Sequence, residues 1–376
     1  MEQNQRNYGI DCLRIVSMLM VLSLHMAGHG GILAAASPNS VNYQLAWLLE
    51  LLSYGAVNCY VLVSGYVGVN ATFRYYKIFY VWLQVFFYSA AIAVVFQCAS
   101  PSTVDAKELV SYCFPVLSGK YWYFTSYFVL LFMMPLFNTA IRHMTKRQAK
   151  ALVCSIVILF SLLPSVLRFN FLDMPVGYTD YIGNRNGYCV WWFLLLYVVG
   201  GCIAKFGLLQ RMKQGALLAV YAGCVLLSWG FKVWGEHSGL PFFQDMISPN
   251  LLVSYTSPTV LLASIALLAL FAKANPVSDQ ARRVIGFFAP VSFGVYLIHD
   301  HPLVRKYCIE GQLTGLANLP SLSFLFAFIA IVLLVYLLCG LIDEARLLVF
   351  RWLRIKQKIE CVANCFAEKP HENAQT

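Results

Sequence analysis

Apolar runs of about 20 residues, following one another along most of the chain, constrain the fold more than any other feature. Each is long enough to cross a bilayer as a helix. About ten can be placed, at 13–32, 45–67, 75–96, 121–141, 151–167, 188–206, 216–234, 251–272, 285–301 and 322–341, with no sizeable polar segment between them. Hydrocarbon leaves no water to satisfy backbone N–H and C=O groups, so spans of this length close their hydrogen bonds within themselves. Composition agrees: 60% of residues are hydrophobic and 12% charged, against roughly 45–50% and about 25% in soluble domains. The expected fold class is all-α, a polytopic integral membrane protein with about ten transmembrane helices in residues 1–342. A basic cytoplasmic tail follows at 343–376.

The net charge of +10 raises the question of a nucleic-acid partner, and the position of the charge answers it. Loops carrying Arg74 and Lys77, then Arg142, Lys146, Arg147 and Lys150, then Lys205, Arg211 and Lys213, then Lys273, Arg282 and Arg283 are basic. The loops between them are neutral or nearly so. Cytoplasmic loops of membrane proteins collect Lys and Arg, so this alternation predicts both termini inside and a multi-pass protein among anionic lipid, with no nucleic acid. The 12 cysteines are scattered without Cys-x-x-Cys or zinc spacing, and no resident metal is expected. The small residues at Ala34–Ser37 resemble a signal cleavage site, but the flank before the first run is neutral, which argues for an uncleaved first helix. The segments 98–120, 168–187, 235–250 and 303–320 are the longer external loops, with room for substrate contacts. No internal repeat of the kind that marks many transporters is found.

Within the first run, IDCLRIVSMLMVLSLH carries Arg14 and His25. Eleven residues make three helical turns plus about 20°, so the two lie on one face about 16 Å apart along the axis. Arg14 can snorkel at the inner end, whereas His25 reaches a depth at which an ionisable side chain faces a cavity or a partner. His25 and His29 stand i, i+4, but no acidic or cysteine ligand accompanies them in sequence, so metal binding is a weak reading. Glu50 is the nearest intramembrane carboxylate.

Five segments together resemble the acyltransferase 3 family, integral membrane enzymes that acylate carbohydrates. Ile10-Asp11-Cys12-Leu13-Arg14 followed by His25 is similar to its N-terminal signature. NCYVLVSGYV, with Tyr60, Ser64 and Gly65, resembles its aromatic-x-x-Ser-Gly segment. Arg74-x-x-Lys77 stands where two arginines are common, Trp122 leads a span that ends in Pro135, and SFGVYLIHDHP (292–302) looks like the late Ser-x-Gly-x-Tyr-Leu-x-His segment.

The resemblance implies acyl transfer from cytoplasmic acyl-CoA, most simply acetyl-CoA, to a carbohydrate hydroxyl on a cell-surface polysaccharide or lipid-linked glycan, in a bacterial cytoplasmic membrane. It needs no bound cofactor, and other glycan-assembly proteins are possible partners. Arg14, Arg74 and Lys77 would hold the CoA phosphates. His25 would be the general base that activates the hydroxyl, and His299, Ser64, Tyr60, Trp122, Glu50 and Asp11 would line the acceptor side or support it. Trp191 and Trp192 are further candidates for stacking on sugar, Asn184, Arg185 and Asn186 for contacting an anionic glycan, and Ser23 or Ser64 for carrying a covalent acyl group. A different reading is a multi-span exporter of an envelope glycan or small molecule, with His25 as a proton relay.

Overall fold

The computed structural model describes residues 6–101, 103–167, 182–183, 185–240, 247–274 and 278–367. Among the described residues all regular structure is helical, and eight helical stretches are long and apolar enough to cross a membrane. Two shorter apolar helices occupy the sixth and eighth of the expected runs. In chain order the longer helices are α1 (Tyr8–Gly28), α2 (Val41–Ser53), α3 (Ala56–Gly68), α4 (Tyr76–Ala99), α5 (Trp122–His143), α6 (Lys146–Val157), α7 (Val190–Phe206), α8 (Gln214–His237), α9 (Pro258–Lys273), α10 (Asp279–His299), α11 (Ser321–Trp352) and α12 (Ile355–Ala367). Parts of the expected external loops, at 168–181, 184 and 241–246, lie outside the described residues, and so do Asn184 and residues 368–376.

α1 is the central helix, packed against α2, α3, α9, α10 and α11. Its start is set by Asn7, whose side chain accepts a hydrogen bond from the Ile10 N–H at 3.1 Å. Helices attract one another in lipid through close packing, which favours small residues at the contact. Gly9 is such a residue: a Cβ there would stand 2.0 Å from the Phe271 carbonyl oxygen of α9. Gly65 meets the Tyr197 carbonyl of α7 in the same way, also at 2.0 Å from a Cβ. The Ser64-Gly65 pair is therefore read by packing as well as by chemistry. Large side chains on the outer helices face outward, for example Leu322 and Phe326 on α11, as a lipid-facing surface requires.

Two expectations about helix limits change. The run at 45–67 is two helices, α2 and α3, broken at Tyr54 and Gly55. Ser264 of α9 donates to the Gly55 carbonyl at 3.3 Å, which ties the break to α9; the same carbonyl accepts from the Cys59 N–H at 3.0 Å, and the break sets Glu50 and Tyr54 beside a cavity. At the other end, α11 runs unbroken through the expected boundary at 342. The first two charged side chains of opposite sign past that point, three residues apart, neutralise each other: Arg346 donates from Nε and Nη2 to the two Asp343 carboxylate oxygens, each at 2.9 Å. Tyr88 donates to the same carboxylate at 2.7 Å. Asp343 is fully buried and Arg346 nearly so, and Gly294 of α10 gives the carboxylate its space, since a Cβ there would lie 2.0 Å from Asp343 Cγ.

Candidate active site

His25 sits in the last turn of α1, and His299 ends α10. His299 Nδ1 lies 2.6 Å from the Val295 carbonyl oxygen, and a carbonyl only accepts, so Nδ1 carries the proton. With the ring neutral, His299 Nε2 is an acceptor. His25 Nδ1, 2.9 Å away, is then the donor, which leaves His25 Nε2 with its lone pair. A backbone carbonyl thus fixes the tautomer of His25 through one intervening imidazole. Asp300 adds a carboxylate oxygen 3.7 Å from His25 Nδ1, and Arg305 holds that same oxygen at 3.2 Å.

Two cavities share His25. The first, of about 350 Å³, is lined from Arg14 past Met18 and Val21 to His25, with Tyr60 and Ser64 of α3 and Tyr127 of α5 also on its wall. The second, of about 340 Å³, carries His25 together with His29, Glu50, Tyr188, Asp300 and Arg305. Leu24, Trp122 and Tyr255 line both, beside His25. His25 is therefore open to two chambers, one reaching to Arg14 and the other holding a cluster of ionisable side chains.

At the Arg14 end, Asp11 is a shared anchor. Arg14 Nη1 donates to one carboxylate oxygen at 2.6 Å and Arg6 Nε to the other at 2.5 Å. Tyr60 donates its hydroxyl to the Arg14 carbonyl at 2.8 Å. Asp11 thus stands behind Arg14, away from His25. Arg6 and Arg282 flank the Tyr8 ring, at 5.2 and 5.9 Å from its centroid, so the basic group at this end includes two arginines that the sequence reading counted only as flank and loop charge. Arg74 and Lys77 are exposed near the start of α4, and neither lines the two cavities.

The remaining candidates divide in the same manner. Trp122 lines both cavities, with its ring centroid 4.6 Å from that of Tyr188. Tyr255 lies 5.0 Å from Tyr188 and 5.2 Å from Tyr54 by the same measure. Trp192 is buried and donates to Asn58 at 2.9 Å, and Trp191 is exposed away from both cavities, so neither serves as a stacking surface there. Ser23 and Ser64 donate back to Leu19 and Tyr60 carbonyls, each at 2.9 Å, the usual state of a helical serine and no arrangement for a nucleophile. Glu50 Oε2 has no hydrogen-bond partner, and Glu50 faces the second cavity. Tyr54, Tyr188, Tyr255 and Arg305 are wall residues that sequence spacing did not single out, because tyrosines at membrane interfaces are common, whereas His29 was noted only for its spacing from His25. Asp300 also supplies the acidic group that was missing beside His25 and His29: one ligand-type atom from each of the three lies within 4.8 Å of the others.

Comparison with known families gives one match, to an acyltransferase domain profile over residues 7–340. No curated protein and no solved structure matches the chain. The matched region starts at the α1 cap and takes in every residue of both cavities. An all-helical membrane architecture, a histidine held in one tautomer between two chambers, and a match across nearly the whole sequence agree with one another, and the chain belongs to the acyltransferase 3 family of membrane acyltransferases.

Proposed function

We propose that this protein moves an acyl group, in the simplest case acetyl, from acyl-CoA to a hydroxyl of an envelope carbohydrate. The observation that carries the reading is the sharing of His25 between two chambers of unlike character. The Arg14 side takes the donor. Guanidinium groups suit phosphate, and the chamber between Arg14 and His25 gives a flexible thioester arm a path of about 16 Å along α1. With the basic loops facing the cytoplasm, this mouth opens where acyl-CoA is made. The Glu50 side takes the acceptor, since carboxylates and aromatic faces together suit a polyol.

In the transfer step His25 Nε2 removes the hydroxyl proton as the acceptor oxygen attacks the thioester carbonyl. The new C–O bond forms, the C–S bond breaks, and the thiolate leaving on the Arg14 side takes the proton back from the imidazolium. His299 supports the charge on His25 through its hydrogen bond, and Asp300 supports it through its field. No covalent acyl-enzyme is required.

The test uses membranes holding equal amounts of wild type and His25→Ala, labelled acetyl-CoA and an envelope glycan extract. Label on the glycan from wild type alone supports the proposal. Equal label from both proteins removes His25 as the base. Uptake or export that follows a proton gradient and needs no acyl-CoA would favour the exporter instead.

A further inference from the structure

From the cluster at the junction of the cavities we infer that His25, His29 and Asp300 form a binding site for a transition-metal ion of the Zn²⁺ type. Two of the ligands come from one helix. The i, i+4 spacing sets both imidazoles on the same face of α1, with ring centroids 5.0 Å apart. The third comes from the residue that follows α10. The present limit of 4.8 Å between ligand atoms compares with about 3.3 Å between neighbouring ligands of a tetrahedral ion with bonds of about 2.0 Å. The adjustment needed is small, and His29, which is exposed, is free to make it.

Two imidazoles and one carboxylate are a donor set that zinc-type ions accept, with one coordination position left open, whereas Mg²⁺ and Ca²⁺ require oxygen donors. The ligands already have the outer contacts that such sites use. His25 is oriented by His299, which is itself oriented by a backbone carbonyl, and Asp300 is held by Arg305. Arg305 is the competing cation: it neutralises Asp300 when no metal is bound, and its partial exposure lets it withdraw. The second cavity gives the ion a route to the cluster. An ion bound there occupies a lone pair of His25, so on the reading of His25 as the base it stops acyl transfer. This consequence rests on the proposed function, and the site itself does not.

The test titrates Co²⁺ into the purified full-length protein and follows the visible d–d absorption of a low-symmetry cobalt site, with Zn²⁺ added afterwards to displace it. The expected result is a band in wild type, affinity lowered in His29→Asn and in Asp300→Asn by at least the roughly 10–100-fold that losing a mere outer-shell partner costs, and tighter binding in Arg305→Gln. Because His29 is exposed, its substitution does not threaten the fold. Equal Co²⁺ affinity in wild type, His29→Asn and Asp300→Asn overturns the site. In a transfer assay, Zn²⁺ should inhibit wild type reversibly by chelator and lose that effect in His29→Asn. The cobalt titration needs no substrate, so it decides the site even if the chain proves to transfer no acyl group.

Discussion

The two chambers that meet at His25 are close in volume and opposite in chemistry. On the Arg14 side three wall hydroxyls are bonded to the protein itself, Tyr60 to the Arg14 carbonyl, Ser64 to Tyr60 and Ser292 to Phe288, while the Tyr296 hydroxyl has no hydrogen-bond partner among the described residues. Charge enters only at the mouth, where Asp11 holds Arg6 and Arg14. On the other side Glu50, His29, Asp300 and Arg305 all reach the wall, and Glu50 keeps an oxygen without a partner. A wall with a single charged residue, Arg14, suits an extended, mostly uncharged arm. A wall with polar groups to spare suits a ligand that brings many hydroxyls. The contrast is what separates donor from acceptor in the proposed reaction.

The largest expected effect lies on the boundary between the chambers. Replacing His25 with Ala should lower kcat by about 10²–10⁴-fold, the usual contribution of a general base, as read by single-turnover transfer of labelled acetyl. Truncating Arg14 to Ala should come next. A lost charge-assisted hydrogen bond of about 1.5–3 kcal/mol should raise the KM for acyl-CoA by roughly 10–150-fold and leave the acceptor KM unchanged. Replacing His299 with Gln loses the ring nitrogen that fixes His25. A drop of about 10–100-fold in kcat with both KM values retained is expected; a change confined to KM would mean that His299 binds substrate instead of positioning the base. The smallest effect belongs to the aromatic wall. Tyr188→Leu should weaken only the acceptor, by about 0.5–1.5 kcal/mol or roughly 2–13-fold in KM, measured by varying glycan at saturating donor.

The buried Asp343–Arg346 pair offers a contrast that owes nothing to the reaction. Asp343→Asn leaves a guanidinium uncompensated, which should cost about 3–5 kcal/mol of stability. Thermal unfolding in detergent should show the loss without any preference for donor or acceptor kinetics.

Rare residues in an apolar run are easy to read, and this explains which parts of the site were legible. Arg14 and His25 stood out because ionisable side chains in a membrane helix need a reason, and the structure opens both onto one cavity. The partner of His25 was less visible. His299 is 274 residues away, and only the packing of α1 against α10 brings the rings together. Hydropathy did not reveal where α11 ends, because the helix continues past 342 with Asp343 and Arg346 buried and paired. Arg74 and Lys77 were favoured by motif, yet Arg6 and Arg282 gather with Arg14 around Tyr8 and Asp11. Arg6 lay before the first apolar run and counted only toward the charge of its flank. Tyr188 and Tyr255 carry no spacing signal at all, and their place on the wall follows from three-dimensional packing alone.

The division of labour between the chambers is the central claim, and paired kinetics of Arg14→Ala and Glu50→Gln test it most directly. Both substrates would be varied in one assay, with protein amount and thermal stability matched. The account predicts a raised acyl-CoA KM for Arg14→Ala alone and a raised acceptor KM for Glu50→Gln alone. If both variants raise the same KM, or if Glu50→Gln weakens the donor, the two chambers do not separate donor from acceptor and the account fails.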